Sequence, residues 1–220
     1  SVVAALTGLL FFFHAQLLSL LACGLVVPDT TGPADFTLLV GGDRCFDNAA
    51  RLFHDGSVHG VVIIEYIPNR LVRLGILPSA EALARRELEK RGVPAGALTV
   101  IRGEATSGWE GARNLQRWLS ERPNVTVVTL CPRFAGRETR LLYSSVIGDQ
   151  SEHRILWFPL RDRRYDETNW WQRKEGVLDV FNSYVSLGYV WLNGEQPSTW
   201  REWDAEEWLA ASLKASRGRE

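Results

Sequence analysis

Residues 60–66 read GVVIIEY, a short apolar run rich in β-branched side chains. Its apolar residues do not alternate with polar ones, which is typical of a strand buried on both faces. Four further runs share this pattern: FTLLVGG (36–42), ALTVIR (97–102), VTVVTL (125–130) and RILWFPL (154–160). Helical patterns separate them at 44–56, 78–92, 108–121 and 133–146. The alternation predicts an α/β fold, a three-layer sandwich around a mostly parallel sheet of about five strands.

The start of the chain is of a different kind, because residues 2–27 contain no Asp, Glu, Lys or Arg. About 20 apolar residues suffice to span a bilayer as a helix, so this run predicts a transmembrane anchor over 1–27 with the lipid bilayer as its partner. A buried core helix, a cleaved signal peptide and a lipoprotein site at LLAC (20–23) are the alternatives. The chain begins at Ser1 and contains no methionine. We therefore expect the natural protein to extend further at its N-terminus.

Three more segments complete the predicted organisation: a Pro/Gly linker (28–35), an α/β domain (36–195) and a C-terminal amphipathic helix with a tail (196–220). The linker has two acids and no basic residue, which under the positive-inside rule favours a domain outside the cytoplasm. The formal net charge of −1 gives no reason to expect nucleic acid as a partner. The four histidines are scattered, so neither a metal site nor a Ser-His-Asp triad is predicted.

Ligands of parallel α/β sheets bind outside the carboxyl ends of the strands, so the residues that follow each strand are candidates. Residues 41–44 (GGDR) follow the first strand, and two glycines there let backbone N–H groups approach an anion. A plain tight turn explains the same glycines equally well. After the third strand, Ser107 and Glu110 have the spacing of a helix capping box. Glu104 or Glu110 could also face a ligand from this position.

The fourth strand is followed by CPRFAGR, in which Cys131 and Arg137 have the Cys-x5-Arg spacing of cysteine phosphatases. Pro132 removes an N–H from that loop, and no histidine precedes Cys131 to lower the pKa of its thiol. The phosphatase is therefore the least favoured of three hypotheses. In a 3-2-1-4-5 strand order Cys45 and Cys131 would follow neighbouring strands, which allows a disulfide but favours two unpaired buried thiols.

The sequence resembles the YdcF/SanA/ElyC-like family, whose members carry blocks in the same order as LLVGGDR, VVIIEY, LPSAEALARRELEKRGVP, EATSGWEGA and VVTLCPRFAGR. The resemblance covers about residues 36–147. It implies a Rossmann-like domain tethered to the bacterial inner membrane, lying in the periplasm and serving the cell envelope. It also implies a small anionic or nucleotide-like ligand. One branch of the family binds S-adenosylmethionine, while the sequence itself indicates no cofactor.

Ligand-binding roles are implied by the resemblance for residues that match the family's motifs, and are predicted for Asp43 and Glu104 from their positions after strands. The predicted ligand-binding set is Gly41, Gly42, Asp43, Arg44, Glu81, Glu104, Ser107, Glu110, Thr129, Arg133 and Arg137. Two family motifs are missing. The Ser-Gly-Gly after the second strand is replaced by Glu65-Tyr66-Ile67, and the histidine after the fourth strand is replaced by Arg133 or Ala135.

Histidine is the usual general acid or base at neutral pH, so its loss leaves catalytic activity open and names no catalytic residue. The leading hypothesis is a membrane-anchored, extracytoplasmic domain that binds a small anion. The alternative is an inactive scaffold or interaction domain of the same fold. Near the C-terminus, residues 167–193 have helical spacing that favours a core helix over one at the membrane interface. Residues 199–216 predict an amphipathic helix with Trp200, Trp203 and Trp208 on one side.

Overall fold

The computed structural model describes residues 2–40, 44–148 and 154–194, and contains the predicted parallel sheet. Its strands are β1 (Phe36–Leu39), β2 (Gly60–Tyr66), β3 (Leu98–Ala105), β4 (Val127–Pro132) and β5 (Ile155–Leu160). All pairings are parallel, and the strand order is β3-β2-β1-β4-β5. The α/β class and the five strands are confirmed, and the architecture is that of a Rossmann-like sandwich. The strand order is the one under which Cys45 and Cys131 follow neighbouring strands.

Seven α-helices accompany the sheet in the described part of the chain: α1 (Val2–Cys23), α2 (Arg44–His54), α3 (Arg70–Arg73), α4 (Ala80–Glu89), α5 (Gly108–Ser120), α6 (Gly136–Ile147) and α7 (Lys174–Asn193). The four helices predicted between strands are all present as α2, α4, α5 and α6. The start of α6 is three residues later than predicted, because the N–H of Ala135 donates to the carbonyl of Pro132 and closes a turn first. The short α3 was not predicted.

The helices α5 and α6 cover one face of the sheet. Leu115 and Leu119 of α5 and Leu142 of α6 pack there against Leu38 and Val62 in one apolar cluster. These helix residues recur at spacings that place them on one side of each helix, as expected for a helix lying on a sheet. Burial of such side chains is the main favourable contribution to folding, about 1.5–3 kcal/mol for each.

The helices α2 and α4 cover the opposite face. Ala49 and Leu52 of α2 and Leu88 of α4 pack against Val61 of β2 and Val128 of β4. Apolar side chains project from both faces of the inner strands, which explains why their sequences show no polar alternation. The third layer predicted from the strand–helix alternation is thus present.

The end of α1 meets the carboxyl edge of the sheet. The backbone N–H of Arg137, in the first turn of α6, donates to the carbonyl of Leu25 over 2.9 Å. Val27 lies so close to Gly136 that a Cβ at that glycine would be 2.9 Å from a Val27 methyl. Within the described ranges, no helix is both long and apolar enough to cross a membrane. The anchor over 1–27 stays a prediction.

The linker runs along the outer edge of β5. The N–H of Thr30 donates to the carbonyl of Trp157, and the N–H of Trp157 donates to Oγ1 of Thr30 at 2.8 Å. At the other end of the linker, the carboxylate of Asp35 accepts from the N–H and the hydroxyl of Thr126. The segment 28–35 is therefore fixed to the domain on its way to β1.

The last described helix, α7, differs from the core helix favoured by the sequence. Its buried residues form a narrow stripe of Gly176, Val180, Ser183 and Val190. Leu187 is partly buried beside this stripe, whereas most of the other apolar side chains face outwards, and Phe181 is 63 % exposed. Only the buried stripe of α7 therefore agrees with the interpretation as a core helix. The predicted amphipathic helix over 199–216 lies outside the described residues.

Candidate functional site

A cleft of about 1210 Å³ opens at the carboxyl ends of β4 and β5, beside the first turns of α2. Six arginines line it: Arg51, Arg91, Arg133, Arg161, Arg163 and Arg164. Three aspartates line it as well: Asp29, Asp47 and Asp162. We call this region the arginine cleft. Arginines outnumber acids in it by two to one, so the cleft favours an anionic occupant.

Three of the six guanidinium groups are held by carboxylates of the protein. Nε of Arg91 lies 2.7 Å from Oδ1 of Asp47, and its NH1 lies 2.9 Å from Oε2 of Glu87. Nε of Arg133 lies 2.5 Å from Oε1 of Glu167, and both side chains are largely shielded from water. The third is Arg164, whose NH2 lies 3.2 Å from Oδ2 of Asp162. These pairs fix the walls of the cleft and neutralise the charge of the arginines involved.

The other guanidinium groups are not neutralised in this way. Arg51 donates to the amide oxygen of Asn48 at 3.3 Å and lies 5.6 Å from the ring centroid of Phe158, but has no carboxylate partner among the described residues. Arg161 and Arg163 form no hydrogen bond or ion pair with any residue of the described ranges. Arg161 does interact at longer range with the carboxylate of Asp166. A guanidinium presents a planar fork of donors that matches phosphate and carboxylate oxygens. The cleft therefore offers three unpaired forks to an anion.

A second charged cluster lies at the carboxyl ends of β2 and β3. NH1 of Arg102 is 2.8 Å from Oε1 of Glu65 and 3.0 Å from Oε2 of Glu81. The hydrogen bond from Arg102 is the main reason that the pKa of Glu65 is lowered, followed by the N–H of Gly103. Glu81, a predicted ligand contact, is thus used in an ion-pair network within the protein.

The backbone of β3 bends beside this cluster. Gly103 has φ +147° and Glu104 has φ +43°, a conformation that residues with a side chain rarely adopt. The other carboxylate oxygen of Glu65 accepts from the N–H of Gly103 at 3.2 Å and so holds the bend. Glu65 occupies the position where the resemblance implies a Ser-Gly-Gly cradle, and here its carboxylate supports the strand instead.

The start of α5 is capped as the sequence predicts. Oγ of Ser107 accepts from the N–H of Glu110 at 3.3 Å. The carboxylate of Glu110 turns back and accepts from the N–H of Thr106 at 2.7 Å and from its hydroxyl at 2.6 Å. These two hydrogen bonds lower the pKa of Glu110. Capping is therefore shown, and Oε2 of Glu110 is already occupied by Thr106.

The structure separates the predicted ligand-binding residues. Residues 41–43 lie outside the described ranges, and Arg44 begins α2 with a side chain that is not described. Of the others, Arg133 lines the arginine cleft, whereas Glu104, Glu110 and Arg137 do not. Arg137 is exposed at the start of α6.

Thr129 lies in the interior of β4 and is fully buried. Its hydroxyl has no hydrogen-bond partner among the described residues. In register it is level with Leu38 of β1 and Trp157 of β5. The hydroxyl thus lies in the protein core.

Cys131 lies in β4 itself and is fully buried. Burial, followed by the nearby Cys45, raises the pKa of its thiol to about 12. A phosphatase needs an accessible thiolate, so this geometry argues against the least favoured hypothesis. Cys45 is also buried, and both cysteines are free thiols, as the sequence favoured.

Sequence reasoning missed five of the arginines that line the cleft. A signal for three of them was available, because RDRR (161–164) directly follows the fifth strand. The rule on strand ends that selected the other candidates also selects this stretch. Arg51 and Arg91 could not be found in this way, since they come from α2 and from the segment after α4.

No group of three or more His, Cys, Asp or Glu side chains suited to hold a metal ion occurs in the described part of the chain. No protein-family model matches this sequence, and no curated protein matches it. The geometry of the arginine cleft is therefore the main ground for a functional conclusion.

Proposed function

We propose that this chain is a membrane-anchored, extracytoplasmic domain of the YdcF/SanA/ElyC-like family that binds a small anionic ligand in an envelope-related role. The observation that carries the ligand is the group of Arg51, Arg161 and Arg163 in the arginine cleft, none of which forms a hydrogen bond or an ion pair with a carboxylate of the described residues. The cleft lies at the edge of the sheet where ligands of parallel α/β folds bind. The uncharged run over 2–27 supports the anchor.

The chemistry of the cleft favours a phosphorylated, nucleotide-sized ligand. The cleft has a volume of about 1210 Å³, above the range of about 300–1,000 Å³ that is usual for small-molecule pockets, so it has room for a ligand of nucleotide size. The ring of Phe158 offers an apolar surface among the arginines. The sulfonium of S-adenosylmethionine is a cation and suits this excess of arginine less well than a phosphate does.

A thermal unfolding experiment tests the ligand. We expect ATP or inorganic pyrophosphate to raise the Tm of the full chain in a concentration-dependent way, because a ligand at 100 times its Kd stabilises the folded state by about 2.7 kcal/mol. The double variant Arg161→Gln/Arg163→Gln should lose most of this shift. Arg140→Gln is the matched control, since Arg140 is exposed on α6 and does not line the cleft.

The absence of a Tm shift with either probe would overturn the proposed ligand class. An equal shift in the wild type and the double variant would place anion binding elsewhere on the protein. Measuring at two salt concentrations separates a specific site from general charge screening, because exposed charges lose much of their interaction at high salt.

An inactive scaffold domain is the second candidate, and one observation favours it. Glu65 and Glu81 bind Arg102, and Glu110 binds Thr106, so several candidate site carboxylates serve the fold. A scaffold of this kind would show no Tm shift with the anions. The double variant Arg161→Gln/Arg163→Gln and the control Arg140→Gln would then behave alike. The same experiment thus separates the two candidates.

A further inference from the structure

The segment after β2 exposes an unusual amount of apolar surface. Residues 66–77 read YIPNRLVRLGIL, and we call this segment the apolar loop. Its large apolar side chains are exposed, apart from the half-buried Val72: Tyr66, Ile67, Leu71, Leu74, Ile76 and Leu77. Leu74 is 60 % and Ile76 is 64 % exposed. A contiguous group of this kind on a protein surface usually marks an interaction site.

The apolar loop has a defined backbone conformation. Oδ1 of Asn69 accepts from the N–H of Val72 at 3.0 Å and caps α3. The carbonyl of Leu71 then accepts from the N–H groups of both Ile76 and Leu77, around a turn at Gly75 with φ +70°. The chain thus uses its own hydrogen bonds to hold apolar side chains in water, where they gain nothing from burial.

The charges of the apolar loop indicate what it contacts. Arg70 and Arg73 are both exposed, and residues 66–77 contain no Asp or Glu. Exposed apolar side chains flanked by cations are typical of segments that enter the interface of an anionic bilayer. A second copy of the same loop would bring four arginines together with no acid between them, which disfavours self-association through this surface.

The position of the apolar loop fits the same partner. It follows the carboxyl end of β2, and α1 ends at the carboxyl end of β4, where Leu25 accepts from Arg137. Only β1 lies between these two strands, so their ends are roughly 10 Å apart. The uncharged N-terminal helix and the apolar loop therefore meet the domain at one edge of the sheet.

We propose that the apolar loop inserts Leu74 and Ile76 into the interface of an anionic lipid bilayer, with Arg70 and Arg73 at the level of the lipid phosphates. The carboxyl edge of the sheet then faces the membrane. This inference goes beyond the proposed ligand binding and does not depend on it.

Site-specific labelling tests the proposal on the full chain. Leu74→Cys is labelled with an environment-sensitive fluorophore in a Cys23→Ser background, because Cys45 and Cys131 are buried and Cys23 is exposed. The protein is then mixed with vesicles of phosphatidylcholine alone, or of phosphatidylcholine and phosphatidylglycerol in equal parts. Glu121→Cys is the control, since this 72 % exposed side chain follows α5 near the amino ends of the strands.

We expect a blue-shifted emission at position 74 with the mixed vesicles, quenching of that label by spin-labelled lipid, and no change at position 121. The variant Arg70→Gln/Arg73→Gln should lose most of the blue shift and most of the quenching at position 74 with the mixed vesicles. Both side chains are exposed, but Arg73 also donates to the carbonyl of Pro68 at 3.4 Å, so thermal unfolding of the variant checks that its fold is kept.

Three results would overturn the proposal. A label at position 74 that stays in water while the chain is bound to vesicles would reject the docking of the loop and leave the anchor standing. Failure of the full chain to bind either vesicle would reject the docking and the anchor together. Quenching of the label by a second labelled copy, without lipid, would show a protein interface instead. The Tm test of the arginine cleft is independent of all three.

Discussion

Glu110 shows how one carboxylate serves the first turn of α5. Its hydrogen bonds to the hydroxyl and the N–H of Thr106 hold the pKa of Glu110 below its usual range. A carboxyl whose pKa is lower in the folded than in the unfolded state stabilises the fold at any pH above the unfolded value of about 4.3. This contribution is lost as the pH falls through the folded pKa.

We therefore expect Glu110→Gln to lower the free energy of unfolding at neutral pH, and the difference from wild type to shrink below a pH of about 4. Glutamine keeps an oxygen acceptor, so the comparison isolates the charge. Urea unfolding at a series of pH values measures it. Glu89→Gln is the control, because Glu89 is exposed on α4 and its side chain has no partner within the described ranges. A difference that does not vary with pH would contradict the prediction.

Gly103 is the residue on which the bend of β3 depends. At φ +147° a Cβ would lie 2.5 Å from Nδ2 of Asn114, whose side chain is buried. We expect Gly103→Ala to destabilise the protein by about 1–3 kcal/mol, from backbone strain and from this contact. Chemical denaturation measures the loss.

Gly96→Ala provides the comparison for Gly103, because a Cβ at Gly96 meets nothing within 4 Å. Its stability should stay within about 1 kcal/mol of wild type. Equal losses in the two variants would show that the bend is not a constraint.

At the residue scale, the sequence identified local chemistry better than ligand contacts. The Ser107–Glu110 cap depends on spacing along the chain, and the spacing predicted it. The roles of Glu65 and Glu81 depend on Arg102, which reaches them only after β2, β3 and α4 have packed together. A local sequence pattern cannot predict a partner that comes from another part of the chain.

Among the elements, α7 is a helix that packs on the domain along one side only. Val180 is 3 % exposed and packs with the end of α1, whereas its neighbour Phe181 points away from the domain. We expect Val180→Ala to cost about 1–2 kcal/mol, because it leaves a cavity. Phe181→Ala should change stability by no more than about 0.5 kcal/mol.

Thermal or urea unfolding of the two single variants measures this pair. A large loss from Phe181→Ala would mean that its ring is covered in solution. The helical spacing of α7 was visible in the sequence, but apolar residues around most of its surface made a core helix the simpler interpretation. Burial depends on what packs on a helix, which spacing along the helix does not reveal.

The boundaries of helices and strands were predictable where neighbouring residues in the sequence set them. The predicted helix over 78–92 begins at Ala80, because Ser79 caps it, and ends before Gly92 with φ +80°. Capping residues and glycines made these limits predictable. By contrast, β3 continues to Ala105, past its predicted end at 102. Its extension needs the contacts of Glu65 with the backbone of Gly103, which come from a different strand.

For the whole molecule, the alternation of strands and helices was sufficient to predict a parallel sheet of five strands covered by helices. Right-handed crossovers leave few arrangements for five parallel strands. The arginine cleft was less accessible to prediction. Its walls come from α2, the segment after α4, and the ends of β4 and β5, so residues as far apart as Arg51 and Arg163 meet only in the folded chain.

The edges of the sheet determine how this molecule can associate with others. At β5, Thr30 occupies the outward N–H and carbonyl of Trp157, and Pro159 on the same side has no N–H to offer. At β3, the bend at Gly103 and the charge of Glu104 interrupt the opposite edge. Open edges are templates for strand addition and fibre growth, and both edges here are blunted. We therefore expect copies that aggregate to meet mainly through side chains of helices and loops.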